Sequence, residues 1–508
     1  MQSVAIIDLG SNTARLVALE FEPERRFQMV DELRQVVRLS EGMGEERRIR
    51  PEPFERAIDA LRTFRSYCDA AHVQHVHATA TSAVRVAVNG ADFVTAARDR
   101  AGIDLRVLSG EEEAGAGVLA VANSLPFSDA VVFDLGGGSM QVSAMQDRRY
   151  RAGRAYPLGA VRTTEEYLAS DPPKAKHVKA LSRAVRRALE DDLAGLPRGV
   201  PVVGMGGTLR NLANVALQAE DPTPALLHGY RLKRDRLSAL VDDLVAMPVE
   251  ARRDVVGLNR DRADIIVAGG IVIRTLLEQL RADEVVISGQ GLREGLFYPY
   301  LFPQGDHLAP DVRTFSVWNL EREYHDHPAH DGHVRDLALR LFDDLRPRHG
   351  FGEVERGLLA AAAVVHDIGM AIDYYAHHKH GMYLVMGRPL AGFTHREQAI
   401  IALLVRYHRR GTPSEHGLGA LLEAGDMQLV RVLAGILRVA EYLDRAKSQR
   451  IQDVRCVDPL ASPLRIEAAS RTEAHVEVQM AHLRSDLLAD ALGTAIEVVP
   501  AAAKAAGA

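Results

Sequence analysis

One pattern occurs twice in this chain of 508 residues, and it limits the folds that the chain can adopt. An apolar segment at Val4–Ile7 leads into the turn DLGSN at residues 8–12 and out through a second apolar strand. The same order returns at Ala130–Phe133, followed by the turn DLGGGS at residues 134–139. Strand, polar turn and strand predict a β-hairpin at each place. An internal repeat of this size predicts two similar domains that face each other.

Strands and helices alternate between and beyond the two hairpins. We predict a strand at Gln35–Leu39, a helix at Pro53–Ala71 and a strand at His75–Thr79. A later strand meets a glycine turn, GMGGT, at residues 204–208. From about Leu308 the chain changes to long helical segments rich in Ala, Leu, Arg and His. The predicted domains are therefore residues 1–125, 126–305, 306–450 and 451–508, the last being a small α/β unit.

Composition and cysteine usage narrow the class of protein. Apolar residues make up 47% and charged residues 26% of the chain, as in soluble globular proteins. The longest apolar run, Leu358–Val365, is far shorter than the roughly 20 residues that span a bilayer. Cys68 and Cys456 are isolated, which disfavours a disulfide framework or a thiolate zinc site. We expect a cytoplasmic protein without a membrane partner.

The net charge of −6 disfavours non-specific binding to nucleic acid, so a polyanionic ligand needs a local cationic cluster. The two Asp-x-Gly turns offer chemistry for such a ligand. Glycine allows backbone amides to approach phosphate oxygens closely. Asp8 and Asp134 add carboxylates, and Mg²⁺ commonly binds through one or two carboxylates together with substrate phosphates. The turns therefore predict a metal-assisted phosphate site.

Five motifs carry a resemblance to a known family. DLGSNT, SGEEEA, DLGGGS, GMGGT and ISGQGLREG occur in this chain in the order seen in exopolyphosphatases and guanosine pentaphosphate phosphatases. The resemblance implies an α/β fold with two ribonuclease-H-like (actin-like) domains, followed by an all-α HD-like domain and a small C-terminal α/β unit. It also implies Mg²⁺ or Mn²⁺ as cofactor and a homodimer.

The resemblance assigns roles to individual residues. Glu113, in the SGEEEA segment, matches the position that activates the attacking water, whereas Glu112 forms a predicted capping box with Ser109. The metal ligands are Asp8 and Asp134. The phosphate-binding residues are Gly10, Ser11, Asn12, Thr13, Arg85, Gly136, Gly137, Gly138, Ser139, Gly206, Gly207 and Thr208. For the loop residues, turn formation and helix capping are the alternative roles, and for Arg85 the alternative is simple surface exposure.

Gln141 departs from the family pattern. The family usually has an acid two positions after the serine of its second loop, in a GGGSTE pattern, but this chain reads GGGSMQ at residues 136–141. Glutamine keeps one carbonyl oxygen but offers no charged metal ligand and accepts no proton. We expect Gln141 beside the metal, as an outer partner of a weaker site.

The helical region contains two further candidate sites. His333, His366-Asp367 and Asp444 occur in the order of an HD metal site, although we expect these residues to form a hydrogen-bonded structural core. His378, Lys379, Arg409 and Arg410 are candidates for a positive channel that guides a long polyanion, with solvated helix faces as the alternative.

The leading hypothesis is an exopolyphosphatase that removes terminal orthophosphate from inorganic polyphosphate. Guanosine pentaphosphate is the alternative substrate, because it also presents a terminal phosphoanhydride. An actin-like ATPase or kinase would use similar hairpins, and a nucleotide sensor without activity would account for Gln141.

Overall fold

The computed structural model of the chain describes residues 1–190, 192–220 and 226–501. They form two compact units, one ending at Pro310 and the other beginning at Asp311. The sequence placed this division close by, at residue 305. The first unit contains two lobes, each built on its own sheet.

The first lobe contains five strands and four helices. The strands are β1 (Gln2–Leu9), β2 (Thr13–Glu22), β3 (Arg26–Val36), β4 (His75–Ala80) and β5 (Leu105–Val107). The helices are α1 (Pro51–Ala70), α2 (Ser82–Val86), α3 (Gly90–Ala101) and α4 (Gly110–Ala122).

The second lobe repeats this design with additions. Its strands are β6 (Ala130–Leu135), β7 (Met140–Gln146), β8 (Arg149–Tyr156), β9 (Val202–Met205), β10 (Arg231–Lys233) and β11 (Glu284–Ile287). Its helices are α5 (Ala160–Tyr167), α6 (Ala175–Leu189), α7 (Gly207–Glu220), α8 (Arg234–Ala246), α9 (Val249–Arg252), α10 (Ile266–Leu280) and α11 (Leu292–Leu301).

The two sheets have the same strand order, which confirms the predicted repeat and the ribonuclease-H-like fold. The first sheet runs β3-β2-β1-β4-β5, with β1, β2 and β3 antiparallel and β4 and β5 parallel to β1. The second runs β8-β7-β6-β9-β11, with β10 added at the edge. In both sheets the first hairpin strand is central and its apolar residues are buried, because helices cover the two faces. Both Asp-x-Gly turns therefore follow a central strand.

Helix α4 is the last element of the first lobe in sequence but packs on the sheet of the second lobe. Val118 and Val121 share a buried cluster with Val132 and Val203. The helix begins at Gly110, capped by Ser109, so its packing fixes where its first turn lies. Helix α11 belongs to the second lobe in sequence but packs against the first lobe. The Phe297 ring of α11 meets the Phe21 ring of β2 edge to face at 5.7 Å. The two helices therefore join the lobes next to the turns.

The second unit has six longer helices followed by a small mixed sheet. The helices are α12 (Val312–Tyr324), α13 (Pro328–His349), α14 (Glu353–Val364), α15 (His377–Met386), α16 (His395–Tyr407) and α17 (Asp426–Leu443). The C-terminal elements are β12 (Ile451–Cys456), β13 (Leu464–Ser470), α18 (His475–Leu483), α19 (Asp486–Leu492) and β14 (Ile496–Pro500). Residues of these strands belong to the same buried cluster as the helices, so the C-terminal α/β part shares one core with them. Within the described residues, none of the helices is both long and apolar enough to cross a membrane.

Candidate active site

The two Asp-x-Gly turns meet each other between the lobes of the first unit. A Cβ atom on Gly138 would lie 2.6 Å from the Ser11 Oγ of the first turn, which is too close, and 3.0 Å from the Ser82 Oγ of α2, which is tight. The third glycine turn comes equally near, because a Cβ on Gly206 would lie 2.8 Å from the Asp134 Oδ1. Gly206 also has a φ of 96°, which L side chains rarely adopt. The glycines are required for the approach of the three turns.

The turns enclose a cavity of about 140 Å³. Its lining includes most of the residues that the sequence singled out: Asp8, Gly10, Ser11, Asn12, Thr13, Glu113, Asp134, Gly136, Gly137, Gly138, Ser139, Gln141, Gly206 and Gly207. Thr208 and Arg85 are not among the lining residues. Thr208 is buried beneath the turn, against Gly269 of α10. Arg85 instead forms an ion pair with Glu113, which does line the cavity.

Glu113 is held at both of its carboxylate oxygens. Arg85 makes an ion pair with Oε1 and also donates to the Leu108 carbonyl. The Gln141 Nε2 donates a hydrogen bond of 2.7 Å to Oε2. Burial raises the pKa of Glu113 to about 7, while Arg85 opposes the increase and the Asp8 and Asp134 charges add to it. A carboxylate with this pKa is suited to accept a proton near neutral pH.

Glu112, one residue earlier, has the structural role that the sequence predicted. Its backbone N–H donates to the Ser109 Oγ at 3.1 Å, and its Oε2 accepts from the Ser109 N–H at 2.8 Å. This is the predicted capping box, and Glu112 also pairs with Arg106. Glu112 therefore caps the helix, whereas Glu113, the next residue, lines the cavity.

Asp8 and Asp134 lie one residue before the ends of the two central strands, and both are partly buried. Burial raises the pKa of Asp8 to about 6, with Arg293 opposing and Asp134 adding to the shift. Burial likewise raises the pKa of Asp134, with Arg210 opposing. The Asp8 Oδ1 has no hydrogen-bond partner among the described residues. A divalent cation could be held by this oxygen and the carboxylate of Asp134, with phosphate oxygens and water as further ligands.

The cavity is also lined by four arginines for which the sequence predicted no role: Arg15, Arg210, Arg262 and Arg293. Arg293 and Arg15 both donate to the Glu32 Oε1, at 2.7 and 3.1 Å. Burial lowers the pKa of Arg15 and of Arg262 to about 10, so both stay charged near neutral pH. Their guanidinium groups provide the local cationic cluster that a polyanion requires, since Arg presents several donors in a fixed plane.

A local signal existed for three of these arginines. Arg15 is the cross-strand partner of Asp8, so the first hairpin itself points it toward the turn. Arg210 follows the GMGGT turn, and Arg293 lies in the ISGQGLREG motif beside Glu294, which also lines the cavity. Arg262 lies in a short 3₁₀ helix (Arg260–Arg262) with no motif of its own.

The HD-like residues of the second unit come together only in part. His366, Asp367 and Asp444 are buried near one another, but the fourth member is His330 and not His333. The His330 Nδ1 lies 2.8 Å from the Asp444 Oδ2, whereas the His333 Nε2 lies 2.8 Å from the Ile451 carbonyl oxygen. His330 lies in the first turn of α13 and contacts Asp444, whereas His333, about one turn later, contacts the first strand of the C-terminal sheet.

The four channel candidates differ in exposure. His378 is 1% exposed, so its side chain does not line a solvent-filled channel. Lys379 and Arg410 are exposed, and the Arg409 guanidinium lies over the Tyr374 ring at 5.4 Å from its centroid. The channel role of these three remains a prediction.

Two family models match this chain. The model of the Ppx/GppA phosphatase family matches residues 17–302, and the model of Ppx/GppA phosphatase domain III matches residues 312–490.

Several solved structures are similar to this chain over more than half of its length. A Ppx/GppA family member from Aquifex aeolicus is 28% identical, with a TM-score of 0.51, over 58% of this chain and 96% of that chain. An exopolyphosphatase from Cytophaga hutchinsonii is 25% identical, with a TM-score of 0.56, over 60% of this chain and 99% of that chain. An exopolyphosphatase-like protein is 26% identical, with a TM-score of 0.55, over 59% of this chain and 97% of that chain.

Proposed function

Because this chain belongs to the Ppx/GppA phosphatase family, we propose that it is an exopolyphosphatase, which releases terminal orthophosphate from inorganic polyphosphate. The observation that carries the proposal is the position of Glu113. Its carboxylate is held between Arg85 and Gln141 in a polar cavity, facing the glycine turns and the arginines. Mg²⁺, or alternatively Mn²⁺, held by Asp8 and Asp134, would neutralise phosphate charge when bound.

Each group in the cavity has a role in this reaction. A water oxygen attacks the terminal phosphorus, and its proton passes to the Glu113 carboxylate. The bond from phosphorus to the bridging oxygen breaks, which leaves a polyphosphate one unit shorter. The amides of the two glycine turns and the arginines stabilise the charge on the equatorial oxygens. Arg85 and Gln141 orient the carboxylate toward the water.

The composition of the lining suits a chain of phosphates and, among the described residues, offers no stacking surface for a base next to the terminal phosphate. The lining residues in the described part of the chain include no aromatic side chain, and their only larger apolar members are Leu135 and Leu292. A guanine base is commonly bound by stacking and apolar contact, whereas a phosphate chain needs only cations and hydrogen-bond donors. Arg15, Arg210, Arg262 and Arg293 meet the second requirement.

A parallel assay tests the proposal. The protein is incubated with long polyphosphate, guanosine pentaphosphate or ATP, with Mg²⁺ or Mn²⁺, and released orthophosphate is measured against EDTA controls. We expect the highest kcat/KM with polyphosphate and no release in EDTA. A higher kcat/KM with guanosine pentaphosphate would show that this nucleotide, and not polyphosphate, is the preferred substrate. Formation of ADP with a phosphorylated acceptor would identify a kinase, and tight nucleotide binding without release would identify a sensor.

A further inference from the structure

A second cluster of ionisable side chains lies in the helical unit and takes no part in the proposed reaction. Among the described residues it contains three sets of three residues whose ligand atoms lie within 4.8 Å of one another, and two of these sets are fully buried. One set is His330, Asp331 and His366, and the other is Asp367, His377 and His408. All six side chains are buried. The sets are adjacent in the chain at residues 366 and 367, and the rings of His366 and His408 lie 5.2 Å apart.

Backbone hydrogen bonds determine the tautomers of three of these histidines. The Nδ1 atoms of His366, His377 and His408 each lie 2.7 Å from the carbonyl oxygen three residues earlier in the chain. A carbonyl oxygen only accepts hydrogen bonds, so each Nδ1 carries the hydrogen. In the neutral ring the Nε2 atom is then a lone-pair acceptor, which is the form that binds metals.

These lone pairs converge on one carboxylate oxygen. The Nε2 atoms of His377 and His408 lie 3.0 Å from each other. They lie 3.3 and 3.8 Å from the Asp367 Oδ1, and the His366 Nε2 lies 3.7 Å from the same oxygen. The three Nε2 atoms and the Asp367 Oδ1 are all hydrogen-bond acceptors, so they cannot form hydrogen bonds with one another. Burying such atoms without a partner destabilises the folded protein.

Further buried acceptors around the cluster also lack partners. The His366 Nε2, the His330 Nε2 and the Asp331 Oδ1 have no hydrogen-bond partner among the described residues. A proton shared between His377 and His408 would satisfy those two rings, but it would leave these three atoms unpaired. A cation at the Asp367 Oδ1 would have the His366 Nε2 as a neighbour, because that nitrogen lies 3.7 Å from this oxygen.

We propose that this cluster is a centre for a divalent transition-metal ion, with Asp367, His377 and His408 as its ligands and His366 beside them. Ligand atoms about 2.1 Å from a zinc ion lie roughly 3.4 Å apart at tetrahedral angles. The observed separations of 3.0, 3.3 and 3.8 Å bracket that value. Imidazole nitrogen selects Zn²⁺ and similar ions over Mg²⁺, which prefers oxygen, so the centre differs from the phosphate site in the metal it takes.

The surroundings of the cluster orient the ligands as metal sites commonly do. The carbonyl groups of Tyr374 and Val405 hold the rings of His377 and His408. The Lys447 Nζ donates to the Asp367 Oδ2 at 2.8 Å, which turns the other oxygen toward the imidazoles. Such outer partners typically contribute 10- to 100-fold to metal affinity.

Metal binding by the full chain tests this proposal. The protein is stripped with a chelator, dialysed against Zn²⁺ in excess Mg²⁺, and its metal content is measured by mass spectrometry. We expect one or more equivalents of Zn²⁺ per chain in the wild type. His408→Ala should lower the affinity at least tenfold, and His416→Ala, which removes an exposed histidine of the following loop, should leave it unchanged. Glu113→Gln should also leave it unchanged.

A measurement on the wild type removes any dependence on how the variants fold. Co²⁺ added to the stripped protein should produce visible absorption bands of a nitrogen-ligated site, and Zn²⁺ should abolish them by competition. Thermal unfolding of the wild type should shift to higher temperature with Zn²⁺, because the metal binds only the folded chain. A wild type that holds no Zn²⁺ and shows no Co²⁺ bands, or a folded His408→Ala protein that binds as well as the wild type, would overturn the proposal.

Discussion

The Gln141 Nε2 donates a hydrogen bond of 2.7 Å to the Glu113 Oε2. Gln141 is 4% exposed, and its Nε2 also lies 3.1 Å from the Ser139 Oγ. The antiparallel register pairs Gln141 with Asp134, so the amide lies between the second glycine turn and the carboxylate of α4. An amide donor favours the ionised form of Glu113. An acid at position 141, as in the family pattern, would instead place a second negative charge against Glu113.

Glu113→Gln should abolish most phosphate release while the protein stays folded. The amide cannot accept the proton of the attacking water, so we expect kcat to fall by about 100- to 10,000-fold. Glu112→Gln is the matched control, because glutamine can still accept from the Ser109 N–H of the cap. Orthophosphate release and circular dichroism of both variants check the prediction. A Glu113→Gln protein with wild-type turnover would exclude Glu113 as the base.

The activity should have an acidic limb set by Glu113. Burial raises its pKa to about 7, and a base works only when deprotonated. Activity is therefore present above this pKa and is lost as the pH falls through it. At limiting metal we expect kcat/KM to fall below about pH 7, with a slope of one on a logarithmic scale. A pH profile of wild-type phosphate release provides the measurement.

Arg85→Met should move this limb to higher pH. The Arg85 guanidinium lowers the pKa of Glu113 against the effect of burial, so removing it leaves the carboxylate protonated over a wider range. Arg106→Met is the control, because Arg106 pairs with Glu112 outside the cavity. An unchanged midpoint together with a raised KM would assign Arg85 to phosphate binding instead, as the sequence suggested.

Gln141→Glu should raise the affinity for Mg²⁺ by about tenfold. The new carboxylate would face Glu113 and lie beside Asp134, and a divalent cation would relieve the repulsion between them. Gln146→Glu adds the same charge at an exposed position of β7 and should leave the affinity unchanged. Magnesium titrations of phosphate release at fixed substrate distinguish the two. Superimposable curves for wild type and Gln141→Glu would show that position 141 does not influence the metal.

Gly138→Ala should disturb the contact between the two glycine turns. The added methyl group would lie 2.6 Å from the Ser11 Oγ and 3.4 Å from the Ser11 Cβ, so the Ser11 side chain must shift, and a displacement of this kind in the site can lower kcat by about 100-fold. Gly115→Ala, in α4, meets no atom within 4 Å and removes a glycine from a helix interior. This control should keep its activity and gain roughly 0.5–1 kcal/mol of stability. Equal turnover in the two variants would contradict the close approach of the turns.

Features that depend on neighbouring residues could be predicted from the sequence. The turns at residues 8–12 and 134–139, the capping box of Ser109 and the helix α1 follow from glycine conformation, side-chain caps and apolar periodicity. Strand β3 was placed incorrectly, at Gln35–Leu39 instead of Arg26–Val36. It is an edge strand with little alternation of burial, whereas the apolar Val37 and Leu39 beyond it are buried in a loop. Periodicity indicates a strand only where one face is buried.

The sequence by itself determined the repeated hairpins, the glycine turns and the candidate base, because each depends on residues within one or two turns of the chain. Only the tertiary structure decided which side chains surround them. Arg293 reaches Glu32 and Gln141 reaches Glu113 across long stretches of chain, and His330 replaces His333 through the packing of one helix. These contacts depend on strand order and on how α4 and α13 pack. No local pattern encodes them, because a helix or strand can present the same residues to several different neighbours.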